Sequence, residues 1–196
     1  MNLFLWGALP YIAFTFLIVG TLVRFFYFER NWTTKSSEFL EKKQLRIANP
    51  LFHFGLLCVI GGHVVGVLVP KAWTAALGIN DHMYHEGALY MGAVAGIIFI
   101  VGFLLLMKRR FTVPAMKVNT SGFDKWLYLF LTLAIFSGMA GTLLNASGFF
   151  DYRVSIGPWF RSLLSFMPDP SLMEGVPFMF KFHMLAWMVV AIIFPF

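Results

Sequence analysis

The chain has 196 residues, 59% of them hydrophobic and 12% charged, with a formal net charge of +6 and a mean hydropathy of +0.77. Soluble domains hold about 25% charged residues, so this composition excludes a water-soluble globular enzyme. It also moves the positive charge from a nucleic-acid role to the rules that orient a chain in a lipid bilayer. The single cysteine, Cys58, excludes a disulfide framework, a cysteine zinc site and an iron–sulfur cluster held within this chain, and it reads as packing.

Residues 3–23 form a first spanning segment with Pro10 tolerated near one end. Arg24 follows this apolar run instead of preceding it, so the run is expected to stay in the mature protein and not to be cleaved as a signal peptide. Residues 24–49 are a polar connector holding Arg24, Arg30, Lys35, Lys42, Lys43 and Arg46 against Glu29, Glu38 and Glu41. Residues 50–69, PLFHFGLLCVIGGHVVGVLV, carry no charge and match the roughly 20 residues a helix needs to cross hydrocarbon. Pro50 stands where a helix accepts proline, in its first turn.

A short connector, residues 71–86, contains DHMYHE and leads to the third span, residues 87–107, where Gly92, Gly96 and Gly102 offer a small-residue face to a neighbouring helix. Lys108, Arg109 and Arg110 end it, and residues 126–144 are the fourth span. An aromatic connector with Arg153 and Arg161 covers residues 145–176, before the fifth span, residues 177–196. The expected fold is all-α: a single-domain polytopic membrane protein built as a bundle of five transmembrane helices. Eleven of the fifteen basic residues fall in the first and third connectors, which places these in the cytoplasm, the N-terminus outside and the C-terminus inside.

Histidine in hydrocarbon needs a partner for its ring nitrogens, and residues 50–69 hold two, His53 and His63. Ten residues of helix separate them by roughly 15 Å along the axis. Imidazole is a good axial ligand for haem iron in a helix bundle, and two depths suggest two stacked haems. His63 lies six residues from the outer end of its span and His183 six from the outer start of the fifth, so antiparallel helices bring them to one depth. That is what two axial ligands of one haem require. His53 has no histidine opposite it before Phe196, which leaves a cut-short chain, another ligand or an ordinary interfacial residue open. His82 and His85 lie beside Asp81, Tyr84 and Glu86 near the outer haem, either as a solvated loop or as proton acceptors for a quinol. Arg153 and Arg161 either pair with haem propionates or face water. The rival readings are a histidine-bearing transporter, which the lack of repeats and of intramembrane carboxylates disfavours, and a purely structural anchor.

The chain resembles the cytochrome b (gamma) subunit of membrane-bound respiratory nitrate reductase over essentially its whole length. The resemblance is carried by NPLFHFGLL with GGHVVGVLVP, by LLLMKRRF, by DYRVSIGPWFRSLL and SLMEGVPFMFKFH, and by the closing IIFPF; the HMYH loop is similar to the Gram-positive, menaquinone-using branch. It implies a five-helix anchor with two b haems that oxidises quinol near the outer face. Electrons would pass inward to an iron–sulfur beta subunit and a molybdenum-containing alpha subunit where nitrate is reduced. It further implies His63 and His183 as outer-haem ligands and His53 as one inner-haem ligand, whose partner in the family falls beyond Phe196. Enterobacterial relatives carry lysines in the quinol loop where this chain has His82, His85 and Glu86, so those two histidines rest on local chemistry alone. A related cytochrome b anchor of another quinone-linked complex is the nearest alternative.

Overall fold

The computed structural model describes residues 2–27 and 41–196, so Glu29, Arg30, Lys35 and Glu38 of the first connector lie outside the described residues. The described residues are helical, with no strand among them. Four helices are long and apolar enough to cross a membrane: α1 (Phe4–Tyr27), α2 (Lys43–Leu68), α4 (Asp81–Thr112) and α6 (Gly122–Leu144). Short helices α3 (Lys71–Ala76), α5 (Pro114–Val118) and α7 (Ile156–Leu164) lie in the connectors. The last helix, α8 (Phe178–Ile193), is apolar but only 16 residues long, about 24 Å of rise.

The helices overrun the apolar segments that nucleate them. Helix α2 begins at Lys43, so Pro50 lies inside it and does not open it. Lys43, Gln44, Leu45 and Arg46 are good helix formers whatever the solvent, and they extend the helix back through the polar boundary. Likewise α4 begins at Asp81, and residues 71–86 are not a loop: Asn80 caps the helix by accepting from the Met83 backbone at 2.8 Å, which places His82 and His85 in its first turns. Helix α6 starts at Gly122 behind a capping box of Ser121 and Asp124.

Packing divides the bundle into an α2–α4 pair and an α6–α8 pair, joined through α4 and α6, with α1 laid against α8. Helices α2 and α4 cross at glycines used reciprocally. A side chain on Gly55 would strike the Phe99 backbone, and one on Gly102 would strike the Phe52 backbone. Gly92, Gly96 and Gly102 are therefore not one face. Gly102 meets α2, Gly96 meets Met139 of α6, and Gly92 is open. Cys58 is exposed, not packed, because it sits about 130° around α2 from the centre of the Phe52–Leu56–Val59 face that packs on Phe99 and Phe103.

The second core gathers Trp6, Trp159, Leu163, Met173 and Val176 under the 145–176 connector. Pro10 has no N–H to give Trp6, four residues earlier. The Trp6 carbonyl instead accepts the indole N–H of Trp159 at 2.8 Å, with the two indole rings edge to face at 5.8 Å. Tyr11 donates to the Leu163 carbonyl at the end of α7 at 2.9 Å, and Arg24 donates to the Pro195 carbonyl at 2.8 Å.

Trp159→Phe is expected to leave the Trp6 carbonyl unpaired in an apolar core and to destabilise the folded chain by about 1–3 kcal/mol. Thermal unfolding in detergent micelles measures this, and a midpoint equal to that of the unmodified protein would contradict the role given to this bond.

Candidate functional site

His63 and His183 come from the two different helix pairs and meet. Their ring centres are 6.0 Å apart with the ring planes 26° from parallel. Each ring holds its Nδ1 against a backbone carbonyl: His63 on Val59 at 2.8 Å in its own helix, and His183 on Ala134 of α6 at 2.8 Å. A carbonyl only accepts, so both Nδ1 atoms carry the proton and both Nε2 atoms keep a lone pair in the neutral ring. Ser137 adds its hydroxyl to the His183 side, 3.3 Å from Nδ1 and donating to the Ala134 carbonyl at 3.0 Å.

The backbone is shaped to allow this. Helix α2 widens into a π-helical turn over Val64–Leu68, directly after His63, a local expansion frequent at functional sites. Gly138 on α6 lies flat against the His183 ring, where an added Cβ would be 2.7 Å from Cε1.

The pair would fit a haem iron, which can take one imidazole nitrogen from each of two facing helices: the rings are 6.0 Å apart and each keeps Nε2 free. Among the described residues no group of three or more His, Cys, Asp or Glu side chains could cage a metal ion. Two histidines and no third donor suit an ion whose other ligands come from a macrocycle.

His53 repeats the local pattern, its Nδ1 donating to the Asn49 carbonyl at 2.9 Å while its ring stands edge-on to Phe52. His85 uses the other nitrogen: Nε2 donates to the Ala146 carbonyl at 3.1 Å, and the ring packs on Gly148. In its neutral form the basic atom of His85 is thus Nδ1. His82 is exposed one turn earlier on α4.

Near these histidines the structure adds Tyr152 and Lys71, which the sequence did not single out, to Tyr84, Asp81, Arg153 and Arg161. The hydroxyls of Tyr84 and Tyr152 both converge on Gly66, three residues after His63. Burial first, and the adjoining Tyr84 second, push the Tyr152 phenol well up. Arg153, only 5% exposed, stacks its guanidinium on the Tyr84 ring at 3.8 Å and pairs with Asp81 at 3.0 Å and Asp151 at 3.1 Å. Lys71 closes the cluster onto the same two carboxylates at 2.8 and 3.1 Å. Nη1 of Arg153 has no hydrogen-bond partner among the described residues. Arg161 donates to the Val67 carbonyl at 2.7 Å, capping the frayed end of α2. At the opposite end Arg109 is not solvated: it is 3% exposed and paired with Glu41 at 2.9 Å.

Residues 2–196 match the family model described as nitrate reductase gamma subunit. The nitrate reductase gamma chain of Bacillus subtilis (strain 168) is 47% identical over 193 residues, covering 98% of this chain and 86% of that one. The respiratory nitrate reductase 1 gamma chain of Escherichia coli (strain K12) is 28% identical over 198 residues, covering 100% and 88%. The nitrate reductase-like protein NarX of Mycobacterium tuberculosis (strain ATCC 25618 / H37Rv) is 37% identical over 194 residues, covering 97% of this chain and 30% of that larger one.

The Lys71 cluster gives the connector a pH window. Burial works to raise the Asp151 carboxyl, but hydrogen bonds from Lys71 and Arg153 outweigh it and hold it below the usual carboxylate range. Hydrogen bonds from Asp81 and then Asp151 hold the Lys71 ammonium above its usual range. A carboxyl lowered on folding contributes stability above its unfolded pKa, and an ammonium raised on folding contributes below its own, so the cluster is whole between about pH 4 and pH 10. Limited proteolysis of the 145–176 connector is expected to accelerate as pH falls below 4, less steeply in Asp151→Asn, where Asp81 alone still titrates, and least in the Asp81→Asn/Asp151→Asn double variant; equal acid sensitivity of all three proteins would contradict the cluster's role.

Proposed function

The chain belongs to the nitrate reductase gamma subunit family, and on that premise we propose that it is the dihaem cytochrome b subunit of a respiratory nitrate reductase in the cell membrane. It oxidises quinol, in this branch menaquinol, near the outer face. It delivers electrons inward to an iron–sulfur beta subunit and through it to the molybdenum-containing alpha subunit, where nitrate is reduced. Helix α8 with its flanking residues completes the fifth span, and the N-terminus is outside.

The observation that carries this reading is the His63–His183 pair, with ring centres 6.0 Å apart and each Nδ1–H fixed on a carbonyl. His63 and His183 hold the outer haem b iron through Nε2, and His53 supplies one ligand of the inner haem b. Haem, once bound, supplies one-electron transfer across the bilayer's thickness. The chain supplies the rest. The carbonyl bonds fix the tautomer, so that each ring would offer Nε2 to the iron. Arg153, through Nη1, and Arg161 are the cations for the haem carboxylates at the outer end.

Oxidising a quinol to a quinone releases two electrons and two protons. His85 takes a proton on Nδ1, since Nε2 is committed to the Ala146 carbonyl, and His82 offers an exposed imidazole one turn away for passing protons to the outer solvent. Protons leave outside while electrons move inward, so turnover contributes to the transmembrane proton gradient.

His63→Ala and His183→Ala are each expected to lose the same b haem, and His53→Ala the other, counted per polypeptide by pyridine haemochrome assay on the purified full chain. Unchanged haem content in both His63→Ala and His183→Ala would overturn the assignment.

A further inference from the structure

The two histidines of the pair are oriented by different means. His63 rests on Val59, four residues back in its own helix, so its orientation travels with α2. His183 rests on α6, and there its Nδ1–H faces two acceptors. The Ala134 carbonyl lies at 2.8 Å and the Ser137 oxygen at 3.3 Å. Ser137 spends its own proton on that same carbonyl at 3.0 Å, so towards the imidazole its oxygen presents a lone pair. Ser137 is buried, 6% exposed, and Gly138 beside it removes the Cβ that would push the ring away.

We propose that Ser137 is a positioning residue for His183, tuning through its Nδ1–H how strongly the ring donates to the iron it ligates, with Gly138 supplying the space that brings ring and hydroxyl together. This rests on the haem reading above. An acceptor on Nδ1–H gives an imidazole anionic character and raises its basicity as a ligand, which favours the oxidised metal. The Ala134 carbonyl supplies most of that pull and fixes the tautomer. The hydroxyl supplies a further part, and it can be removed without changing the backbone. His63 has one acceptor on Nδ1 among the described residues, the Val59 carbonyl, so α6 makes the pair asymmetric and links the position of that helix to the redox behaviour of a site it does not itself ligate.

The test is a redox titration of the b haems in the full chain, followed by absorbance and by the low-spin haem signal in electron paramagnetic resonance. Ser137→Ala is expected to keep the haem content and thermal stability of the unmodified protein, to shift the midpoint of the His63/His183-dependent haem upward and to leave the other unmoved. Ser137→Thr restores the hydroxyl beside a groove of about 340 Å³ lined in part by Ser137 and Ala140; with the haem retained it is expected to return the midpoint to the original value. Gly138→Ala is expected to displace the ring and to change the resonance position of that haem or remove it. An unmoved or lowered midpoint in Ser137→Ala, with the haem still present, would overturn the tuning role and leave the ligand assignment standing. Loss of the tuning role together with the ligand assignment is the result if the unmodified chain carries no haem that depends on His63 and His183.

Discussion

Hydrocarbon offers no hydrogen-bond partner, so the backbone polar groups in the spanning part of this chain must be satisfied by the chain itself. Where Pro10 strips the Trp6 carbonyl of its helical donor, Trp159 arrives from the far connector to replace it. The end of α2 leaves the Val67 carbonyl open, and Arg161 closes it. The same demand acts on the intramembrane histidines, and its consequence is chemical. An imidazole has two nitrogens, and the helix or its neighbour takes one. What remains is a basic nitrogen of fixed tautomer pointing away from the backbone, which is what a metal ligand has to be. The rule that keeps the bundle stable in lipid therefore also leaves each of these histidines with one free, fixed nitrogen.

The charged groups obey a matching rule at the ends. Arg153 and Arg109 are both buried, yet each is paired, one with Asp81 and Asp151 and the other with Glu41. A buried charge with its partner removed is strongly destabilising, so these pairs act as bolts: one joins α4 to the 145–176 connector, the other joins α4 to the residues that lead into α2. Between the bolts the interior is apolar and closely packed, with glycine at the α2–α4 crossing admitting backbone to backbone contact. Helix α4 is thus tied at both of its ends.

Much of this was legible in the sequence, and what was not has physical causes. His63 and His183 were found by depth, because helix rise converts residue number into height and antiparallel helices bring equal heights together. Helix ends were not, since hydropathy reports the hydrocarbon boundary while a helix continues into water wherever capping and propensity permit, as at Lys43 and Asp81. Three glycines on one helix read as a stripe, but Gly96 and Gly102 face different neighbours and Gly92 faces none, a distinction that belongs to tertiary packing. Ser137 carried an overlooked signal: it lies seven residues from the end of α6, at nearly the depth of the two histidines, as a hydroxyl in an otherwise apolar stretch. Tyr84 and Tyr152 offered none, since their approach to Gly66 depends on the path of the connector.

The bond between Trp159 and Trp6 spans 153 residues, and the others that hold α1 span 152 and 171. These bonds can form only once α7 and α8 exist, so helix α1 cannot take its final place until residues more than 150 positions further along the chain have been made. Assembly of this chain thus requires an early helix to seat on late ones.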